Sequence, residues 1–135
     1  MKVYVMDAFT DRIFGGNQAG VVLADKALEP EVMQQVAAEL KHSETVFVEQ
    51  GEDGLHLRYF TPAGEVDLCG HATVATFALL RRLGHIGDGT HTAHTRAGKL
   101  DIGVSGETCG WTWHRPRPWA CCPRRAGRSC TGPMA

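Results

Sequence analysis

The stretch that most constrains this fold is residues 70–83, Gly-His-Ala-Thr-Val-Ala-Thr-Phe-Ala-Leu-Leu-Arg-Arg-Leu. Ala72, Val74, Ala75, Phe77, Ala78, Leu79 and Leu80 leave no polar face until the last turn, and a helix that is apolar all round must be buried all round. Arg81 and Arg82 suit the negative end of the helix dipole, and Gly84 is a natural C-cap. The rest of the chain must therefore wrap this helix.

The material available for wrapping is mostly short β segments. Val3–Met6, Val21–Leu23, Thr45–Glu49, Leu55–Phe60 and Val66–Cys69 read as strands, and Leu100, Ile102 and Val104 alternate with Asp101, Gly103 and Ser105 in a last one. Residues 15–20, Gly-Gly-Asn-Gln-Ala-Gly, read as a turn-rich loop. A second, amphipathic helix is indicated by Leu28, Val32, Val36 and Leu40 four apart, with Met33 and Ala37 beside them and Pro30 in the first turn. The expected class is α+β, a mixed β-sheet wrapped around a central apolar helix.

Composition divides the chain in two. Residues 1–108 carry all 15 acids against nine Lys and Arg, a net charge of −6, whereas residues 109–135 carry five Arg and no acid. The second segment also holds all three Trp, four of the five Cys and four of the six Pro. A domain over 1–108 and an anomalous tail over 109–135 are expected. The tail's Cys109, His114, Cys121, Cys122 and Cys130 lack the spacing of a zinc site, so no metal is expected. Its arginines have no periodic framework to present them, so no nucleic-acid partner is expected either. No apolar run reaches the roughly 18 residues of a membrane span, and the acid at Asp7 comes too early for a secretory signal; a cytoplasmic protein is the expectation.

Three groups have chemical potential. Cys69-Gly70-His71-Ala72-Thr73 opens the buried helix, where unpaired N–H groups and the positive dipole end suit a substrate carboxylate, with His71 as donor or proton carrier. The same residues also suit a plain turn with a satisfied histidine. Glu44, at the head of a strand, shares a face with Val46 and Val48; desolvation there would raise its pKa toward that of a general acid/base. An exposed acid at a strand end fits the same pattern. Cys69 is either a thiol activated by the helix N-terminus or a small buried hydrophobe. Asn17 either faces a ligand or satisfies its own loop.

Five segments, in order, resemble the phenazine-biosynthesis PhzF-like isomerase family. They are Asp7-Ala8-Phe9-Thr10, Gly16-Asn17-Gln18-Ala19-Gly20-Val21-Val22-Leu23, Ser43-Glu44-Thr45-Val46-Phe47-Val48, Arg58-Tyr59-Phe60-Thr61-Pro62 and Glu65-Val66-Asp67-Leu68-Cys69-Gly70-His71-Ala72-Thr73. Gln18 stands where that family usually has Pro, and His42 where Asn is common. The resemblance implies one of two similar diaminopimelate-epimerase-like domains with the active site between them. It implies a cofactor-independent isomerase or epimerase that moves a proton on a small carboxylate substrate. Glu44 is then the general acid/base, and Gly70 and His71 bind and assist, with Asn17, Ala72 and Thr73 nearby. No nucleotide, pyridoxal or metal cofactor is implied. In related amino-acid epimerases a thiol acts near the position of Cys69, so a thiol-dependent amino-acid racemase is an alternative. No match to the family's second domain is present. An inactive, self-associating fragment is therefore a further alternative.

Trp has a single codon, so the tail can be tested in another reading frame. From Trp111 to Pro123, a frame starting at the last base of codon 110 gives an alternating strand, a Pro-rich turn and an apolar start, as the family's continuation would. A frameshift near codons 108–110 is the reading favoured over a genuine disordered extension.

Overall fold

The computed structural model describes residues 1–8, 15–106 and 108–113. In chain order the elements are β1 (Lys2–Ala8), β2 (Asn17–Leu23), α1 (Pro30–Leu40), β3 (Glu44–Gly51), β4 (Gly54–Thr61), β5 (Gly64–Val66), α2 (Gly70–Arg82), β6 (Gly89–Thr95), β7 (Gly98–Ser105) and β8 (Thr108–Trp113). The strands form one sheet in the order β1-β2-β3-β4-β6-β7-β8, with β5 pairing the far end of β4. The β2–β3 and β4–β6 pairs are parallel and the others antiparallel. This is the α+β architecture expected from the apolar helix.

The sheet curls because α2 packs against both of its ends, against β1 and β2 on one side and β7 and β8 on the other. Phe77, Leu79 and Leu80 of α2 are buried with Val21, Tyr59 and Ile102 of the sheet in one core. α1 lies on the outer face. There Met33 and Ala37 meet Val22, Phe47 and Phe60, the two phenyl rings edge to face at 5.4 Å. β3 is thus covered on both faces. Val46 and Val48 look inward to α2 and Phe47 outward to α1.

α2 ends as its sequence indicates. Gly84 adopts φ +77°, and the N–H groups of Gly84 and His85 donate to the carbonyls of Arg81 and Leu80 at 3.1 and 2.9 Å. That is a Schellman ending, satisfying carbonyls the helix itself cannot.

Three expectations change, and one strand was unforeseen. Asn17–Gly20 belongs to β2, paired with β1, and is not a loop. Gly20 is required by close packing: a Cβ there would lie 3.0 Å from Thr45 Oγ1 and 3.3 Å from Leu40 Cδ1. Pairing near Val66 runs over Gly64–Val66 and stops before Cys69. In α1 the buried line runs through Met33 and Ala37, and Val32 is 42% exposed. β6 was not anticipated at all, because Gly-Thr-His-Thr-Ala-His-Thr carries only one apolar residue, the buried Ala93. The last described strand, β8, begins at Thr108. β8 continues to Trp113, with Trp111 opposite Ile102 in register. The anomalous tail was read over 109–135; residues 109–113 of it belong to β8, and 114–135 lie outside those described.

Candidate active site

Glu44 begins β3 on the face of Val46 and Val48, which places its side chain toward α2. His71 is the second residue of that helix. The two elements bring His71 Nε2 to 3.1 Å from Glu44 Oε2, with the side chains only 16% and 23% exposed. The contact has ion-pair distance without the alignment of a hydrogen bond, and the buried Oε2 makes no hydrogen bond among the described residues. A buried carboxylate oxygen with unused bonding capacity is uncommon outside functional sites. The other ring nitrogen, Nδ1, lies 3.1 Å from Cys69 Sγ. The imidazole therefore spans a thiol and a carboxylate.

The pair borders a cleft of about 430 Å³ lined by Gly16, Asn17, Gln18, Lys41, His42, Ser43, Glu44 and His71. Three segments meet there: the start of β2, the turn from α1 into β3, and the head of α2. Ser43 Oγ donates to the Gln18 carbonyl at 3.3 Å, tying the first two together. Lys41 ends α1 in the left-handed region, φ 55°, and its N–H donates to the Ala37 carbonyl. A carboxylate in this cleft would meet one ammonium group, Lys41, and the positive end of α2.

The expected residues are partly assembled. Asn17, Glu44 and His71 line the cleft together. Cys69 is the N-cap residue of α2, reaching the site through His71. Gly70 opens the helix beside it. Ala72 and Thr73 are buried as whole residues, 0% and 1% exposed, so neither presents a side chain to the cleft. The Thr73 N–H already donates to the Cys69 carbonyl at 3.0 Å, leaving those of Gly70, His71 and Ala72 without an acceptor in the helix. Thr73 Oγ1 donates to that same carbonyl at 2.7 Å and bonds Tyr59 Oη at 2.7 Å. Burial pushes the Tyr59 pKa well up, so the phenol stays protonated and donates to Thr73. Lys41 was missed. The signal was a cation at the end of a helical period, two residues before Ser43.

Glu44, Cys69 and His71 each offer a donor atom within 4.8 Å of the others, as do Asp53, His56 and His94 at another place. Either trio has the atoms to hold a divalent cation.

The model of the PhzC-PhzF family, described as phenazine biosynthesis-like protein, matches residues 6–116. The chain belongs to the PhzC-PhzF family. An uncharacterized isomerase of Halalkalibacterium halodurans is 44% identical over 106 residues, spanning 78% of this chain and 40% of that protein. A PhzF-family crystal structure from Enterococcus faecalis superposes with a TM-score of 0.75 at 37% identity, over 79% of this chain and 41% of that one. A hydroxyproline epimerase from Agrobacterium vitis shares the fold at 9% identity, with a TM-score of 0.60 over 79% of this chain and 38% of that one. This PhzC-PhzF chain thus spans about 40% of the length of the relatives it matches.

Proposed function

We propose that this chain is the N-terminal, acid/base half of a cofactor-independent isomerase that relocates a proton on a small carboxylate. The observation that carries the reading is the Glu44–His71 pair, 3.1 Å apart at the mouth of a cleft that also presents Lys41. In this mechanism Lys41 and the first N–H groups of α2 hold the substrate carboxylate. Glu44 removes the proton from the neighbouring carbon and returns it elsewhere. His71, beside Glu44, holds charge that develops on the substrate and fixes the direction of transfer. The second half of the relatives' length would close the cleft and exclude water. The 135 residues by themselves are proposed to form a self-associating, inactive domain in the cytoplasm.

The test is solvent-deuterium exchange into a panel of small amino and hydroxy acids. A chain extended to its relatives' length by restoring the frame after codon 108 should exchange, and its Glu44→Gln variant should bind but not exchange. The 135-residue chain should show no exchange and should sediment as more than a monomer. Undiminished exchange in the extended Glu44→Gln variant would falsify the acid/base assignment. A monomeric 135-residue chain that turns over substrate would remove the need for the second half.

A further inference from the structure

The trio Asp53, His56 and His94 lies outside the acid/base cleft. Asp53 sits in the two-residue turn between β3 and β4, closed by the Gly51–Gly54 pair. His56 follows on β4, and His94 is its register partner on the parallel neighbour β6. The two rings stack at 4.8 Å with their planes 17° apart. His56 Nε2 is 2.8 Å from Asp53 Oδ1, and His94 Nε2 is 3.2 Å from Asp53 Oδ2. Two imidazole nitrogens therefore converge on the two oxygens of one carboxylate.

The sequence makes room for this arrangement. A Cβ at Gly51 would lie 2.7 Å from the His56 ring atoms Cδ2 and Nε2, so the ring occupies space that only glycine leaves free. The Asp53 carbonyl also faces His94 Nε2 at 3.2 Å. Backbone pairing fixes all three positions before any ligand arrives, which lowers the cost of assembling a site.

We propose that Asp53, His56 and His94 form a binding site for a divalent transition-metal ion of the zinc type. A neutral imidazole that carries its proton on Nδ1 offers an Nε2 lone pair. In that tautomer both rings bind a cation through Nε2, with a carboxylate oxygen of Asp53 as the third ligand. Zinc bonds of this kind are about 2.0–2.2 Å long, which puts ligand atoms about 3.3 Å apart in a tetrahedron. The observed nitrogen–oxygen distances of 2.8 and 3.2 Å need little adjustment. Two imidazoles and one carboxylate favour zinc, nickel or copper over magnesium or calcium. His56 and Asp53 are 44% and 61% exposed on their side chains, which leaves the remaining position to water. His56 pairs with Glu49, five residues along β3 from Glu44, or about 16 Å at the rise of an extended strand. The ion would pin the β3–β4 turn to β6 without entering the acid/base cleft.

The experiment is a zinc titration of the ¹⁵N-labelled 135-residue chain, read from the histidine ring nitrogens, with magnesium in excess throughout. The first equivalent should move the Nε2 signals of His56 and His94 together. Loss of an outer partner of a metal ligand already costs about 10–100-fold in affinity, so H56Q or H94Q should weaken this binding by more than about tenfold. H71Q should leave it unchanged, because that residue belongs to the other trio. The proposal is overturned if the first equivalent moves His71 or His114 while His56 and His94 stay still. It is equally overturned if H56Q and H94Q bind zinc as the parent does. The ring signals of the parent protein decide the first point even where a variant folds poorly.

Discussion

His71 reaches Glu44 with one ring nitrogen and Cys69 with the other, each contact 3.1 Å long. The geometry admits two divisions of labour. The carboxylate acts and the thiol packs, or the thiol acts and the carboxylate orients the imidazole. Cys69→Ala separates them in a chain extended to its relatives' length. With Glu44 as the acid/base, the substitution costs modest stability and less than about 100-fold in rate, the low end of what general acid–base groups supply. A loss of two or more orders of magnitude with unchanged folding would instead assign the chemistry to the thiol.

Lys41 combines a strained backbone with a useful charge. A non-glycine residue in the left-handed region costs about 1–2 kcal/mol, and glycine is the residue most helices place at such an end. Lys41→Gly should therefore raise stability by about 1 kcal/mol in urea unfolding. The same change removes the cleft's ammonium group and should weaken carboxylate binding. A variant that becomes more stable and binds as before would show that Lys41 merely ends α1.

Thr73 keeps a phenol satisfied inside the core. Thr73→Val leaves Tyr59 Oη buried without its 2.7 Å partner, at a cost of about 1–3 kcal/mol. Adding Tyr59→Phe should recover most of that loss, since the orphaned hydroxyl goes with it. Additive losses in the double variant would mean that shape, not hydrogen bonding, sets the cost.

Glu65 ties three segments at the rim of the sheet. Arg58 Nε and Nη2 donate to its two oxygens at 2.8 Å, and Arg96 Nη1 adds a bond at 2.9 Å. The Arg58 hydrogen bonds, followed by those from Arg96, hold the Glu65 carboxyl below the usual carboxylate range. Its stabilisation is complete above the unfolded value of about 4.3 and is lost as pH falls through the lower folded value. Unfolding free energy should thus decline below about pH 4.3. Glu65→Gln should be less stable at pH 7 and show a shallower acid decline. An unchanged slope would assign the acid sensitivity to other carboxylates.

Sequence pattern revealed the parts of the fold that bury large apolar side chains. α2 was visible because no face of it tolerates water, and β4 because Leu55, Leu57 and Tyr59 alternate. β6 was invisible because its strand character comes from its neighbours: His91 lies opposite Ile102, and His94 opposite His56. Asn17–Gly20 misled because glycine next to asparagine signals a turn, whereas Gly20 is there to admit Thr45. At the site, Glu44 could be placed on its face by alternation, and His71 at a helix start by composition. Pattern alone did not bring them together, since a whole β-hairpin lies between them; only the resemblance to the PhzF-like family put both in one site. The Asp53–His56–His94 cluster escaped for the same reason, as parallel pairing with β6 supplies His94.

The position of α2 along the chain governs how a nascent polypeptide becomes safe from aggregation. The strands that cover one side of this helix precede it, and those that cover the other side, β7 and β8, follow it. As the ribosome extrudes the chain from the N-terminus, Phe77, Leu79 and Leu80 emerge before half of their shelter has been synthesised. The core stays open until residues 98–113 arrive, and during that interval apolar surface of the growing chain is exposed to aggregation.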